Sequence, residues 1–231
     1  MDKLNMLGFE DPIASWTHLV GALAVVVLLI WLFREGGVGR KYPLPIIIYG
    51  LSCIFLLTMS GVYHLLPRET APRYVLRILD HAAIFILIAG TITAVHLMFF
   101  SGFMKWGIIS IALLIAFIGI ILSSLFLKGT PDYVTHIIYI VFGWLGLVSI
   151  IGLYKLWKTV AIRYLIYGGL AYTLGAVIDL LGFPVIISGV LGVHEIFHFA
   201  VLLGVYYHWI FLLKAIPIIE RTKLDHDGVK I

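Results

Sequence analysis

Long runs of apolar residues alternate with short polar or Pro- and Gly-containing breaks along this sequence. Seven of these runs approach the ~20 residues that an α-helix needs to cross a lipid bilayer. They cover residues 16–33, 44–66, 78–99, 106–127, 134–154, 162–182 and 192–213. The pattern predicts an all-α integral membrane protein, a seven-transmembrane-helix bundle in which residues 1–231 form a single membrane domain with short loops and a short polar tail.

Composition supports the membrane interpretation. Apolar residues make up 62% of the chain and charged residues 12%, about half the charge of a soluble domain. The net charge is +4, but the basic residues are scattered through the loops without an aromatic-rich patch, so we expect no nucleic-acid partner. The single cysteine, Cys53, excludes a disulfide framework and a cysteine-rich metal site.

The 16 lysine and arginine residues divide unequally between the two membrane faces. The acidic residues Glu10 and Asp11 precede the first run, where a signal peptide would carry basic residues, so we interpret that run as the first helix. Seven crossings then put the N-terminus on one face, face A, and the C-terminus on the other, face B. Face A receives Lys3, Arg68, Arg73, Arg77 and Lys128, and face B receives Arg34, Arg40, Lys41, Lys105, Lys155, Lys158, Arg163, Lys214, Arg221, Lys223 and Lys230. This excess predicts a multi-pass protein of the cell membrane with a cytoplasmic C-terminus.

Two histidines, His194 and His198, open the seventh run. Four residues apart, they lie about 40° from each other around a helix, so both imidazoles can reach one metal ion. The run continues without a charged residue until Lys214, which places the pair inside the membrane, where ionisable groups are costly and usually functional. The pair therefore predicts half of a metal site, to be completed by histidine or carboxylate.

A third ligand is suggested by His64, which closes the second run one helical turn after Ser60. A lone intramembrane histidine more often makes a hydrogen bond between helices than it binds a metal. The second helix, however, ends on face A, where the third and seventh begin, so His64 and Asp80 share a membrane layer with His194 and His198. Three imidazoles with one open position are the ligand set of a catalytic zinc. We expect Asp80 to accept a proton from the metal-bound water, and Ser60 to donate a hydrogen bond to that water or to a developing oxyanion.

Other polar residues along the helices have simpler interpretations. Asp179, near the face A end of the sixth helix, either orients a ligand or reaches the membrane interface, and we favour the interface. His18, at face A depth, either lines the entrance to the site or is an interfacial polar residue, and we favour the interface. We expect no metal ligand among His81, His96 and His208, and we interpret His136, at a loop–helix junction, as part of a packing element.

These motifs together resemble those of a known family. Ser60-x-x-x-His64, Asp80 and His194-x-x-x-His198, with Thr17–Gly21, Asp80–Phe85 and Ala89–Thr93 around them, are similar to the hemolysin III group of the progestin and adiponectin receptor family. The resemblance covers nearly the whole chain. It implies a seven-helix bundle, zinc held by three histidines, and a place in a membrane hydrolase superfamily that includes alkaline ceramidases. The group's name records a lytic activity attributed to some members.

One motif indicates a different class of enzyme. Residues 194–198 also read H-E-x-x-H, the zinc metalloprotease signature in which the glutamate is the general base. An intramembrane protease is therefore an alternative. No third-ligand motif of that class, such as Asn-Pro with a following Leu-Asp-Gly, is found, and Glu195 is turned about 100° away from His194 around the helix.

Three further classes of function remain open on the sequence alone. The first is a zinc-dependent, ceramidase-like hydrolase that acts on an amide or ester bond of a membrane lipid. The second is a receptor or regulator with a structural zinc. The third is a membrane-lytic, pore-forming hemolysin. The open coordination position beside Asp80 favours the enzyme.

Overall fold

The chain folds into an α-helical bundle whose helices follow the apolar runs. A computed structural model describes residues 10–35, 37–68, 70–157, 161–184, 186–187 and 191–227. The described helices are α1 (Pro12–Arg34), α2 (Gly37–Lys41), α3 (Pro43–Leu65), α4 (Ala71–Phe99), α5 (Gly102–Phe126), α6 (Asp132–Gly143), α7 (Gly146–Trp157), α8 (Ile162–Leu181) and α9 (Val193–Asp227). The basic residues Lys3, Lys158 and Lys230, which entered the orientation argument, lie outside the described residues.

Seven helical segments are long and apolar enough to cross a membrane, which confirms the predicted fold class. The fifth crossing differs in detail, because its helix is interrupted at Trp144 and Leu145 between α6 and α7. Gly143 and Gly146 flank the interruption, and glycines weaken a helix at this kind of break. Side chains with large exposed apolar surface cover the outside of the bundle, as lipid contact requires.

Local signals explain where several helices begin and end. Proline stands in the first turn of α1, α3 and α4, where its missing N–H costs nothing. Helix α8 ends at Leu181. The next residue, Gly182, has a φ of +68°, a left-handed conformation that glycine adopts without the steric cost of a side chain. Helix α4 begins at Ala71, earlier than the predicted start at residue 78, so Asp80 lies in the third turn rather than at the helix opening.

The main core joins α1, α3, α4, α8 and α9. Within it Tyr49 of α3 contacts α9: its ring centroid lies 5.0 Å from that of Trp209, and its hydroxyl donates to the carbonyl of Val205 at 3.2 Å. A smaller cluster joins α4, α5 and α6 around Phe85, Ala112 and Phe142. Small residues bring α8 against α9: a Cβ on Gly175 would lie 2.5 Å from Ala200 Cβ, too close for a larger residue. This packing fixes α9 relative to α3 and so positions the histidines that the two helices carry.

Candidate metal centre

Three histidine side chains meet at the face A end of the bundle. His64 lies in the last turn of α3, and His194 and His198 lie in the first two turns of α9. Nε2 of His194 is 3.2 Å from Nε2 of His64 and 3.1 Å from Nε2 of His198. The centroids of the three rings are 4.7–4.8 Å apart. The sequence-predicted ligands of the second and seventh crossings are thus brought together, while the third crossing supplies none of the three.

The spacing of these nitrogens fits a metal ion. In a tetrahedral zinc site with Zn–N bonds of about 2.0–2.1 Å, ligand nitrogens are separated by about 3.3–3.4 Å. One potential ligand atom from each of the three histidines lies within 4.8 Å of the others. Neutral imidazoles that turn their nitrogen lone pairs toward one point repel each other unless a proton or a cation lies between them. The three histidines therefore form a donor set that could hold a metal ion.

A carboxylate that sequence reasoning had not placed at the site fixes His64. Asp11, at the start of α1, has its Oδ2 3.2 Å from Nδ1 of His64 and is only 5% exposed. Arg73 of α4 donates to the same carboxylate at 3.3 Å and also to the carbonyl of Leu66. The guanidinium carbon of Arg73 lies over the Tyr63 ring, 4.7 Å from the ring centroid. An Nδ1–H bonded to a carboxylate leaves Nε2 as the lone-pair donor that a metal requires.

His194 has a carboxylate partner of its own. Oδ1 of Asp179, on α8, is 3.4 Å from Nδ1 of His194. Oδ2 of the same carboxylate is 3.0 Å from Nε2 of His136, whose Nδ1 donates to the carbonyl of Asp132 at 2.7 Å. The favoured prediction for Asp179, an interfacial residue, is wrong: the carboxylate is turned inward to His194. His136, expected only to pack, holds Asp179 in place.

His198 contacts a fourth histidine. The His18 ring lies 4.0 Å from the His198 ring, and its Nε2 is 3.3 Å from the His198 carbonyl oxygen. His18 is 2% exposed, so its predicted interfacial position is wrong. Its Nε2 points at the backbone of His198 and not at the three clustered nitrogens. This contact joins α1 to the first two turns of α9.

A cavity of about 320 Å³, partly open to the surface, extends from His194 and His198 toward face B. Its wall is mostly apolar and is built by α1, α3, α4, α6, α7, α8 and α9. Ser60, Asp80, His194 and His198 line its face A end, and His208 and Ser149 line its far end. Ser60 is buried and Asp80 half-buried, and neither side chain is hydrogen-bonded to another described residue. Both polar groups are thus available to a molecule in the cavity.

The glutamate of the H-E-x-x-H sequence has a structural partner. Oε2 of Glu195 accepts a hydrogen bond from the backbone N–H of Gly192 at 2.8 Å. This bond closes the first turn of α9, which otherwise leaves its backbone N–H groups without partners. The same side chain is therefore engaged at the helix start and is not among the residues that line the cavity.

Three of the histidines that we expected not to bind metal have hydrogen-bond partners of their own. His81 receives a hydrogen bond from the Tyr139 hydroxyl. His96 pairs with Ser149 Oγ at 2.8 Å. His208 pairs with the carbonyl of Leu165 at 3.3 Å. None of these three belongs to the clustered group in the described part of the chain.

Known proteins are similar to this chain over the region that contains the site. A family model described as "Haemolysin-III related" matches residues 9–209, which include every residue of the histidine cluster and its partners. The chain is 29% identical over 181 residues to "Hemolysin-3" of Bacillus cereus, covering 77% of this chain and 81% of that protein. It is 28% identical over 175 residues to "Hemolysin-3 homolog" of Bacillus subtilis (strain 168), covering 74% and 81%.

Proposed function

This chain belongs to the haemolysin-III related family, and we propose that it is a zinc-dependent, ceramidase-like hydrolase of an amide or ester bond in a membrane lipid. One observation carries the proposal. Three histidine nitrogens converge at the end of an apolar cavity inside the membrane, where two further polar side chains, Asp80 and Ser60, have no hydrogen-bond partner among the described residues. A binding site for an apolar chain and a candidate reaction centre are thus continuous.

The charges around the cluster support a divalent cation. The carboxylates of Asp11, Asp179 and Asp80 surround the three histidines, and Arg73 supplies one compensating positive charge. Buried carboxylates in a membrane protein require nearby cations. Imidazole ligands suit zinc, copper, iron and nickel, and tetrahedral spacing favours zinc among them. When bound, zinc would polarise a carbonyl group and provide an acidified water for attack on it.

The position of the other carboxylates favours a catalytic over a structural zinc. Asp11 and Asp179 are each bonded to Nδ1 of a ligand histidine, on the far side of the ring from the clustered Nε2 atoms. They therefore orient the ligands and do not fill a fourth coordination position. Structural zinc sites have four protein ligands, whereas catalytic sites have three and one open position.

Asp80 and Ser60 have the chemistry that the hydrolysis requires. An ionised Asp80 carboxylate would accept the proton that water loses as it attacks the carbonyl carbon, and would return it to the leaving amine or alcohol. The Ser60 hydroxyl would donate a hydrogen bond to the oxygen that becomes negative in the transition state. Both groups line the face A end of the cavity with the histidines.

The cavity has the dimensions to bind an acyl chain. Its volume of about 320 Å³ falls at the lower end of the range of small-molecule sites, about 300–1,000 Å³. It follows α9 from His198 to His208, ten residues or about 15 Å along a helix. A lipid carbonyl placed at the histidines would therefore bury its chain between the helices.

The test is fatty-acid release by the purified protein in lipid nanodiscs. Ceramides and phospholipids are offered as substrates, and metal content is measured on the same samples. We expect wild type to contain zinc and release fatty acid, and His64→Ala to lose both. The matched control is His81→Ala, which removes an intramembrane histidine outside the cluster. Equal release by wild type and zinc-free His64→Ala would contradict the proposal, and a zinc-loaded protein without turnover would favour the receptor alternative.

The names of the relatives favour membrane lysis as a second candidate. Leakage of dye from sealed vesicles measures it directly. If lysis follows from lipid hydrolysis, His64→Ala abolishes leakage and fatty-acid release together. Leakage that persists in His64→Ala would assign the lytic activity to another part of the chain.

A further inference from the structure

A cluster of cationic and aromatic side chains lies on the side of the bundle opposite the metal centre. Nη2 of Arg163, in the first turn of α8, is 3.0 Å from the hydroxyl oxygen of Tyr164. Nζ of Lys214, on α9, is also 3.0 Å from this oxygen. Two cations from different helices thus donate to one neutral oxygen atom.

In this arrangement two positive charges lie close together without a described negative charge between them. Like charges that share one neutral acceptor repel each other, and the repulsion grows near the low-dielectric bilayer. No described carboxylate lies within ion-pair distance of Arg163 or Lys214. The N-terminus of α8, which begins at Ile162, adds further positive potential at this point. An anion bound between the two side chains would offset all three contributions.

The surroundings indicate what kind of anion binds. Tyr167 and Tyr207 pack beside Tyr164, with ring centroids 6.2 Å and 6.4 Å from its own. Tyrosines are enriched where a membrane protein meets lipid headgroups. Arg163 and Lys214 are both exposed, so their remaining N–H groups are accessible from the headgroup layer. Basic pockets between transmembrane helices are recognition sites for anionic lipid headgroups.

We propose that Arg163, Tyr164 and Lys214 form a binding site for the phosphate group of an anionic phospholipid, at the face B end of the α8–α9 contact. The planar guanidinium donates to the two unesterified phosphate oxygens, and the ammonium group donates to one of the same two oxygens. The Tyr164 hydroxyl holds both cations in position before the lipid binds. This site lies at the opposite end of the membrane-spanning part of α9, Val193–Pro217, from the histidine cluster, and it is independent of the proposed hydrolase activity.

The test compares lipid binding by the purified full-length protein in detergent micelles. Native mass spectrometry would follow dioctanoylphosphatidylglycerol, with dioctanoylphosphatidylcholine as the neutral reference. We expect Arg163→Gln and Lys214→Gln each to weaken phosphatidylglycerol binding about five-fold, the contribution of one basic residue near a charged membrane surface. Phosphatidylcholine binding should not change. The matched control is Lys105→Gln. Lys105 Nζ lies 5.1 Å from the centroid of the Trp106 ring, as Lys214 Nζ lies 4.8 Å from that of Tyr164, but no second described cation shares the Trp106 ring.

Two further arms distinguish a built phosphate site from a diffuse attraction between charges and from a site for free phosphate. Tyr164→Phe keeps both charges but removes the shared oxygen, and we expect about a three-fold loss of phosphatidylglycerol binding on the same scale. A diffuse attraction would leave Tyr164→Phe at the wild-type value and make Lys105→Gln as harmful as Lys214→Gln, which would overturn the proposal. Millimolar inorganic phosphate that displaced the lipid only partly would support the lipid as the ligand. Binding of free phosphate as tight as that of the lipid would overturn the assignment to lipid.

Discussion

The carboxylate of Asp11 lies 3.2 Å from Nδ1 of His64, although 53 residues separate them. The backbone N–H of Asp11 also donates to the His64 carbonyl at 3.1 Å. The start of α1 is therefore attached to the last turn of α3 by both main chain and side chain. This attachment fixes the His64 ring with Nε2 toward His194 and His198.

The first prediction concerns that carboxylate. Asp11→Asn should lower metal affinity by about 10–100-fold, the usual effect of losing a partner of a ligand histidine, without unfolding the bundle. The measurement is competition with a zinc chelator of known affinity. Glu10→Gln is the control, because Glu10 pairs with the exposed Arg68 and has no contact with His64. Unchanged affinity in Asp11→Asn would show that the hydrogen bond does not orient the ligand.

The second prediction separates the two candidate bases. Asp80→Asn should retain zinc and lose at least about 10²-fold in turnover, the scale of general-base catalysis. Glu195→Gln should have a much smaller effect, because glutamine keeps an oxygen that can accept the Gly192 N–H. Steady-state rates on the best lipid substrate decide between them. An inactive Glu195→Gln with an active Asp80→Asn would move the protein to the metalloprotease class.

The features predicted best from sequence depend on spacing along one helix. The four-residue step from His194 to His198 fixes both rings on one face whatever surrounds the helix. The alternating direction of membrane crossings then places His64 in the same layer, since a bilayer leaves few choices of depth. In a membrane protein the order of the crossings therefore predicts which helix ends lie side by side. In a soluble protein the same prediction would need the arrangement of the helices in three dimensions.

The partners of the ligands could not be predicted in the same way. Asp11, Asp179 and His18 reach the cluster because of how α1 and α8 are rotated about their axes against α3 and α9. Rotation depends on packing, such as the approach of Gly175 to Ala200, and apolar runs do not encode it. His136 was assigned to packing for the same reason, although it holds Asp179. The roles of Ser60 and Asp80 remain predictions.

The third prediction tests the cavity. Gly169 lines it, and a Cβ added there would meet no atom within 4 Å, so the position has room for a side chain to begin, and Gly169→Leu is designed to fill cavity space. We expect the variant to bind zinc normally and to lose activity on long acyl chains more than on short ones. Ala24→Leu is the control, since Ala24 is exposed on α1. Equal loss on all chain lengths would place the acyl chain elsewhere.

The fourth prediction concerns orientation. The excess of lysine and arginine on face B predicts a cytoplasmic C-terminus, with the metal layer toward the exterior. A C-terminal green fluorescent protein fusion should fluoresce, and an alkaline phosphatase fusion, which needs an oxidising compartment, should be inactive. An active phosphatase fusion would reverse the assignment and place the histidines near the cytoplasm.

The most direct test of the central claim is the metal content of purified wild type and of the single variants His64→Ala, His194→Ala and His198→Ala. We expect about one zinc per chain in wild type. Each variant should lose zinc and unfold at a lower temperature, because a metal that binds only the folded bundle stabilises it. The control His81→Ala should keep its zinc. Full zinc occupancy in His198→Ala would contradict the account, since zinc would then be held without one of the three nitrogens that converge in the structure.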